Sequence, residues 1–163
     1  MRLGHRWSIA LGVGLVGVAV VLVSCGDDNS NTAGGAGSAK AATQVKVTLK
    51  ESSIVPAPST VSAGEVHFVV NNTGKEVHEL IVVKSDADPA KLPIYGASDK
   101  PPEDHLVGDV NEDKVTSMGE VDDIAPGATK DMTIVLQPGK YILMCNIRTH
   151  YTLGMHITFT VKP

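Results

Sequence analysis

The chain has 163 residues, with 14 Lys and Arg against 18 Asp and Glu, for a formal net charge of −4. Nucleic-acid binding needs a concentrated basic face, and this balance argues against it. With two cysteines in all, Cys25 and Cys145, a disulfide-stapled framework is excluded as well.

The first stretch is a targeting segment. Arg2 and Arg6 give a positive start, and Ser8 to Val23 is almost wholly apolar. The run ends in Leu22-Val23-Ser24-Cys25, which resembles a bacterial lipobox. Residues 1–24 are therefore expected to be a lipoprotein signal peptide, with Cys25 lipidated as the new N-terminus. An uncleaved anchor is the alternative, although the apolar run is near the lower length limit for a span. Either way the remainder lies outside the cytoplasmic membrane, in the periplasm or on the membrane's outer face. The lipobox reading makes it a cell-membrane lipoprotein, and the alternative holds it by a helix. With Cys25 carrying lipid, Cys145 has no disulfide partner in an oxidising compartment.

Residues 25–43 (GDDNSNTAGGAGSAKAAT after the cysteine) lack any apolar period and predict a flexible tether. Residues 44–163 are long enough for one domain with a single core. Gln44–Lys50 alternates as a strand, with Val45, Val47 and Leu49 in phase. Ser52–Ser62 holds Pro56 and Pro58 and predicts an edge or connecting segment. Glu65–Asn71 and Val77–Lys84 are strands either side of an Asn72-Thr73-Gly74 turn. Thr129–Leu136 and Lys140–Asn146 follow, split by Gln137-Pro138-Gly139, and Met155–Lys162 closes the domain. No stretch has a helical period, so the domain reads as an all-β sandwich.

Ser85–Ser117 breaks the pattern. It carries Pro89, Pro93, Pro101 and Pro102 and is strongly acidic, so it is either a solvated surface excursion or a docking surface for a basic partner.

The chemistry concentrates in Tyr141–Met155, YILMCNIRTHYTLGM. Cys145, His150 and Met155 follow one another with four residues between each pair. A thiolate, an imidazole and a thioether suit copper, whose two valences favour nitrogen and sulfur donors respectively. His78, in VHELIVV, is the candidate second imidazole. Strand phase supports the choice: Cys145 shares a face with Tyr141 and Leu143, His78 with Leu80 and Val82, and Met155 with Phe159 and Val161. His67, His105 and His156 fall out of phase or in polar surroundings and read as surface residues, and His5 lies in the leader.

On these residues the chain resembles the cupredoxins, the blue copper family. The resemblance spans about Val45 to Lys162 and rests on NNTGKEVHELIVV, on APGATKDMTIVLQPGKYILMCN and on the Cys–His–Met loop into GMHITFTV. It implies a Greek-key β-sandwich with a long acidic, proline-containing insertion. It implies His78, Cys145 and His150 as strong in-plane ligands of one mononuclear type 1 copper ion, and Met155 as a weak axial one. Many relatives carry Pro-Gly before the loop histidine where this chain has Arg148-Thr149, and some carry Asn after the first histidine where it has Glu79.

The function so implied is electron transfer by a lipid-anchored protein that is not an enzyme and has no small-molecule substrate. Electrons would pass at the edge of His150, with Tyr151, Leu153 and Gly154 as a nonpolar contact surface. Its partners would be redox proteins, such as a c-type cytochrome or a membrane oxidoreductase. The alternative is an extracytoplasmic copper carrier or buffer. Met118, Met132 and Met144 form no donor cluster with Met155 in the sequence, which places the carrier second.

Overall fold

The computed structural model describes residues 41–163; the leader, Cys25 and most of the tether lie outside the described residues. Period-two alternation builds the first sheet. β1 (Thr43–Lys50) buries Val45, Val47 and Leu49 and turns Lys46 and Thr48 to solvent. It lies between β2 (Ser53–Ala57), antiparallel to it, and β4 (Gly64–Asn72), parallel to it; β7 (Thr129–Leu136) then pairs antiparallel with β4.

The second sheet has the order β3 (Thr60–Ser62), β9 (His156–Lys162), β8 (Gly139–Met144), β5 (His78–Lys84) and β6 (Ser117–Ile124). Only β3 and β9 run parallel in it, so both sheets are mixed. Inner faces of the two sheets form one core, in which Val47, Phe68 and Val70 meet Leu80, Leu143 and Phe159. Phe68 and Phe159 touch across it with ring centroids 5.5 Å apart. The architecture is all-β, two mixed sheets packed as a sandwich.

The proline-containing Ser52–Ser62 stretch supplies one edge strand to each sheet, β2 and β3, as its prolines require. Strand β6 was not expected from the sequence. Its SMGEVDDI buries only Val121 and Ile124, and its register against β5 slips at two places, which destroys the period-two signal.

The acidic excursion departs from the picture of a solvated loop. β5 and β8 are buried on both faces, and the outer face bears Ile81, Val83, Ile142 and Met144. Leu92, Val110 and Tyr151 cover that face as a second, smaller core. Two single-turn 3₁₀ helices, Pro89–Lys91 and Glu112–Lys114, and an antiparallel bridge between Ile94 and Val110 shape the covering segment. Most of its acidic side chains face water, Asp109 being buried, while Leu92 and Val110 roof the sheet, so composition alone hid the second role of the stretch.

Candidate metal centre

Three donors converge at one end of the sandwich. His78 opens β5, and Cys145 follows the last residue of β8. The loop after Cys145 is wound by its own amides: His150 N–H donates to the Ile147 carbonyl at 2.8 Å, and Met155 N–H to the His150 carbonyl at 3.0 Å. Cys145 N–H donates to the Met155 carbonyl at 3.1 Å and closes the loop beside β8. His150 is thereby folded back over Cys145.

His150 Nδ1 lies 3.3 Å from His78 Nδ1 and 3.3 Å from Cys145 Sγ. One donor atom from each of the three residues falls within 4.8 Å of the others. Donors bonded to one ion at about 2.0–2.3 Å stand at about this separation from one another. Two nitrogens and one sulfur form the trigonal donor set that suits copper. His78, Cys145 and Met155 are fully buried, and Met155 packs in the same core cluster as Cys145.

Local electrostatics prepare neutral donors. Burial, and then the charge of neighbouring His150, hold the His78 imidazole below its ordinary pKa, leaving it unprotonated. Burial pushes the Cys145 thiol up to about 12, and the nearby Glu79 carboxylate adds to the rise. A metal ion must therefore displace a proton from sulfur. On the outer side, His150 Nε2 lies 3.1 Å from Glu76 Oε2. An imidazole N–H held by that carboxylate leaves Nδ1 free to face the cluster.

Glu79 ties the two ligand-bearing strands together, accepting the Asn146 N–H at 2.6 Å. Burial is the main cause that raises its carboxyl to about 7, aided by Glu112 and Asp122. Beside it opens a cleft of about 410 Å³ lined in part by Glu79, Asp104, His105, Glu112, Asn146 and Arg148. His105, expected at the surface, is mostly buried there. Its ring stands 3.2 Å from Asp104 and 3.4 Å from Glu112. Burial opposes a charge on His105, but its bonds to those two carboxylates outweigh burial and hold its pKa above the ordinary value.

His67 faces outward and pairs with Asp131 at 3.1 Å, while His156 stacks against Tyr151 at 4.9 Å; neither reaches the donors. Tyr151, expected on the contact surface, is instead buried. Its hydroxyl accepts the Leu92 N–H and donates to the Pro89 carbonyl. Leu153 is exposed as expected. Glu76 was missed although it stands two positions before His78, in the same strand phase. Asp109 and Asn146, which brace the loop, carry no sequence signal because their partners lie about 35–40 positions away.

No family model matches the chain. The iron uptake system component EfeO of Escherichia coli strain K12 is 27% identical over 107 residues, 66% of this chain and 21% of that protein. The corresponding Shigella flexneri protein matches equally. The chain thus spans about a fifth of the length of these curated relatives. Among solved structures, dithionite-reduced auracyanin from Roseiflexus castenholzii aligns at 20% identity over 76% of this chain and 100% of its own, with a TM-score of 0.52. Auracyanin B aligns at 21% identity over 75% and 90%, with a TM-score of 0.55. The fold is cupredoxin-like.

Proposed function

We propose that this cupredoxin-like domain holds one copper ion between His78, Cys145 and His150, with Met155 as a weaker fourth donor, outside the cytoplasmic membrane. The observation that carries the proposal is the convergence of a buried thiol and two imidazole Nδ1 atoms. Bound copper supplies a one-electron couple and a strong affinity for sulfur. The chain's own residues do the rest. Cys145 gives up its proton, Glu76 orients the His150 ring, and Glu79 fixes the strand of His78 against the residue after Cys145.

Two roles fit such a site. A metal-handling role, as a copper carrier or buffer, is supported by the curated relatives, which are named as components of an iron uptake system. A donor set with His78, Cys145 and Met155 fully buried would hold the ion rather than release it freely, which suits a buffer. Electron carriage, the role implied by the sequence resemblance, is the second reading. Burial of His78 and Cys145 beside a His150 side chain 12% exposed favours it, since outer-sphere transfer needs a fixed donor set and one accessible edge. In either role Cys25 would carry the lipid and residues 25–43 the slack between membrane and domain.

Titration with Cu(II) and with Cu(I), followed by visible absorption, tests the site. A thiolate-to-copper charge-transfer band that Cys145→Ser abolishes is the expected result. Failure to bind either valence discards the proposal. The loaded protein then separates the roles: transfer of the ion to a metal-free acceptor supports handling. Repeated reduction and oxidation without loss of copper, combined with no such transfer, supports electron carriage.

A further inference from the structure

The segment between β5 and β6 grips the metal loop at the two positions that flank its ligands. Asn146 follows Cys145, and Thr149 precedes His150. Asn146 Oδ1 accepts the Val110 N–H at 2.7 Å, and its Nδ2 donates to the Val110 carbonyl at 3.0 Å. One residue earlier, Asp109 Oδ1 accepts the Thr149 N–H at 2.9 Å. Two adjacent residues of the covering segment thus hold both ends of the turn from Cys145 to His150.

Asp109 is built for this place. It is 1% exposed, its other carboxylate oxygen accepts the Leu106 N–H at 2.7 Å, and among the described residues it has no ion-pair partner. A buried carboxylate satisfied by backbone amides alone acts through the backbone it holds. Thr149 needs such a hold. Its φ is +70°, in the left-handed region that a β-branched side chain rarely adopts. The N–H of that strained residue is the one Asp109 takes.

We infer that Asp109 is a positioning residue for the metal loop: with Val110 it fixes His150 relative to Cys145 by holding Thr149 in its left-handed turn. The purpose of the grip rests on the copper reading above; its existence does not. A carboxylate that merely steadied a surface segment would lower stability on removal and leave the exchange of bound copper unchanged.

The test uses the full-length chain as wild type, Asp109→Ala and Asp109→Asn. In metal-free protein, amide hydrogen exchange is followed at Thr149, with Val82 and Leu143 as strand references. In Cu(II)-loaded protein, the rate at which a chelator strips the ion is followed. Asp109→Ala should speed exchange at Thr149 and copper stripping each about tenfold, while the strand amides hold. Asp109→Asn has one acceptor oxygen for the two amides. With that oxygen on the Thr149 N–H its Nδ2 faces the Leu106 N–H, so exchange at Leu106 should rise while Thr149 and copper stripping stay within about threefold of wild type. The asparagine variant carries the test if the alanine variant does not fold. Unchanged Thr149 protection in a folded Asp109→Ala, or Thr149 protection lost by about tenfold in Asp109→Asn with no faster copper stripping, overturns the inference. Wild-type protein that binds no copper discards the copper reading, and the metal-free exchange still decides the role of Asp109.

Discussion

At the scale of single residues, protonation is the property that the fold sets most firmly. A Cys145 thiol raised to about 12 is protonated at neutral pH, so copper binding through sulfur must release that proton. Calorimetric titrations at pH 7 in buffers of different ionisation enthalpy should report release of about one proton per copper. Binding without proton release would show that the thiol is not a ligand. Glu79 makes a second prediction. Its carboxyl is raised from 4.5 to about 7 by burial, so the folded state holds a proton that the unfolded chain has lost. The resulting stability is fully present below about pH 4.5 and is lost as pH rises towards 7, by up to about 3 kcal/mol. Glu79→Gln should flatten that slope in urea unfolding of the metal-free protein. The raised pKa of His105 acts in the same direction above its ordinary value and should leave a smaller residual slope. An unaltered slope would place the proton elsewhere. The four proposed donors were legible in the sequence because strand phase and loop spacing are local patterns. Their supporting residues were not, because Asp109 and Thr149 lie 40 positions apart in the sequence.

Among the elements, β5 and β8 explain most of what the sequence concealed. LIVV and YILM are continuous apolar runs, which signal strands buried on both faces and so demand a cover on each. The first sheet covers one side. The cover on the other is the acidic stretch, whose charged residues masked the few apolar ones that dock. Tyr151 links this cover to the metal loop through its hydroxyl, at 3.0 Å from Leu92 N and 2.6 Å from the Pro89 carbonyl. Tyr151→Phe strands a buried amide and should lower unfolding free energy by about 1–3 kcal/mol. Faster hydrogen exchange at Leu92 than at Val47 would locate the loss in the cover. A loss spread evenly over both sheets would mean that the hydroxyl holds nothing in particular. β6 stayed hidden for a different reason: an edge strand with slipped register buries too few residues to show a period.

For the molecule as a whole, the proposed lipid attachment and the folded core would be separable. If Cys25 bears the lipid, Cys25→Ala should move the protein from the membrane fraction to the soluble one without changing the copper spectrum, since Cys145 belongs to a different part of the chain. Persistent membrane retention of that variant would favour an uncleaved anchor. The antiparallel pairing of β5 with β8 draws distant stretches of sequence together, and the candidate metal centre rests on it. His78 and His150 stand 72 positions apart. A chain emerging N-terminus first presents His78 on a strand whose neighbour β8 has not yet arrived. Cys145 comes into register only once β8 pairs with β5, and the loop closes only once Met155 is carried back beside Cys145. The donors stand together only once β5, β8 and the loop are all in place. On the proposed copper reading, loading would follow assembly of the sandwich, and copper held at this site would mark a molecule already folded.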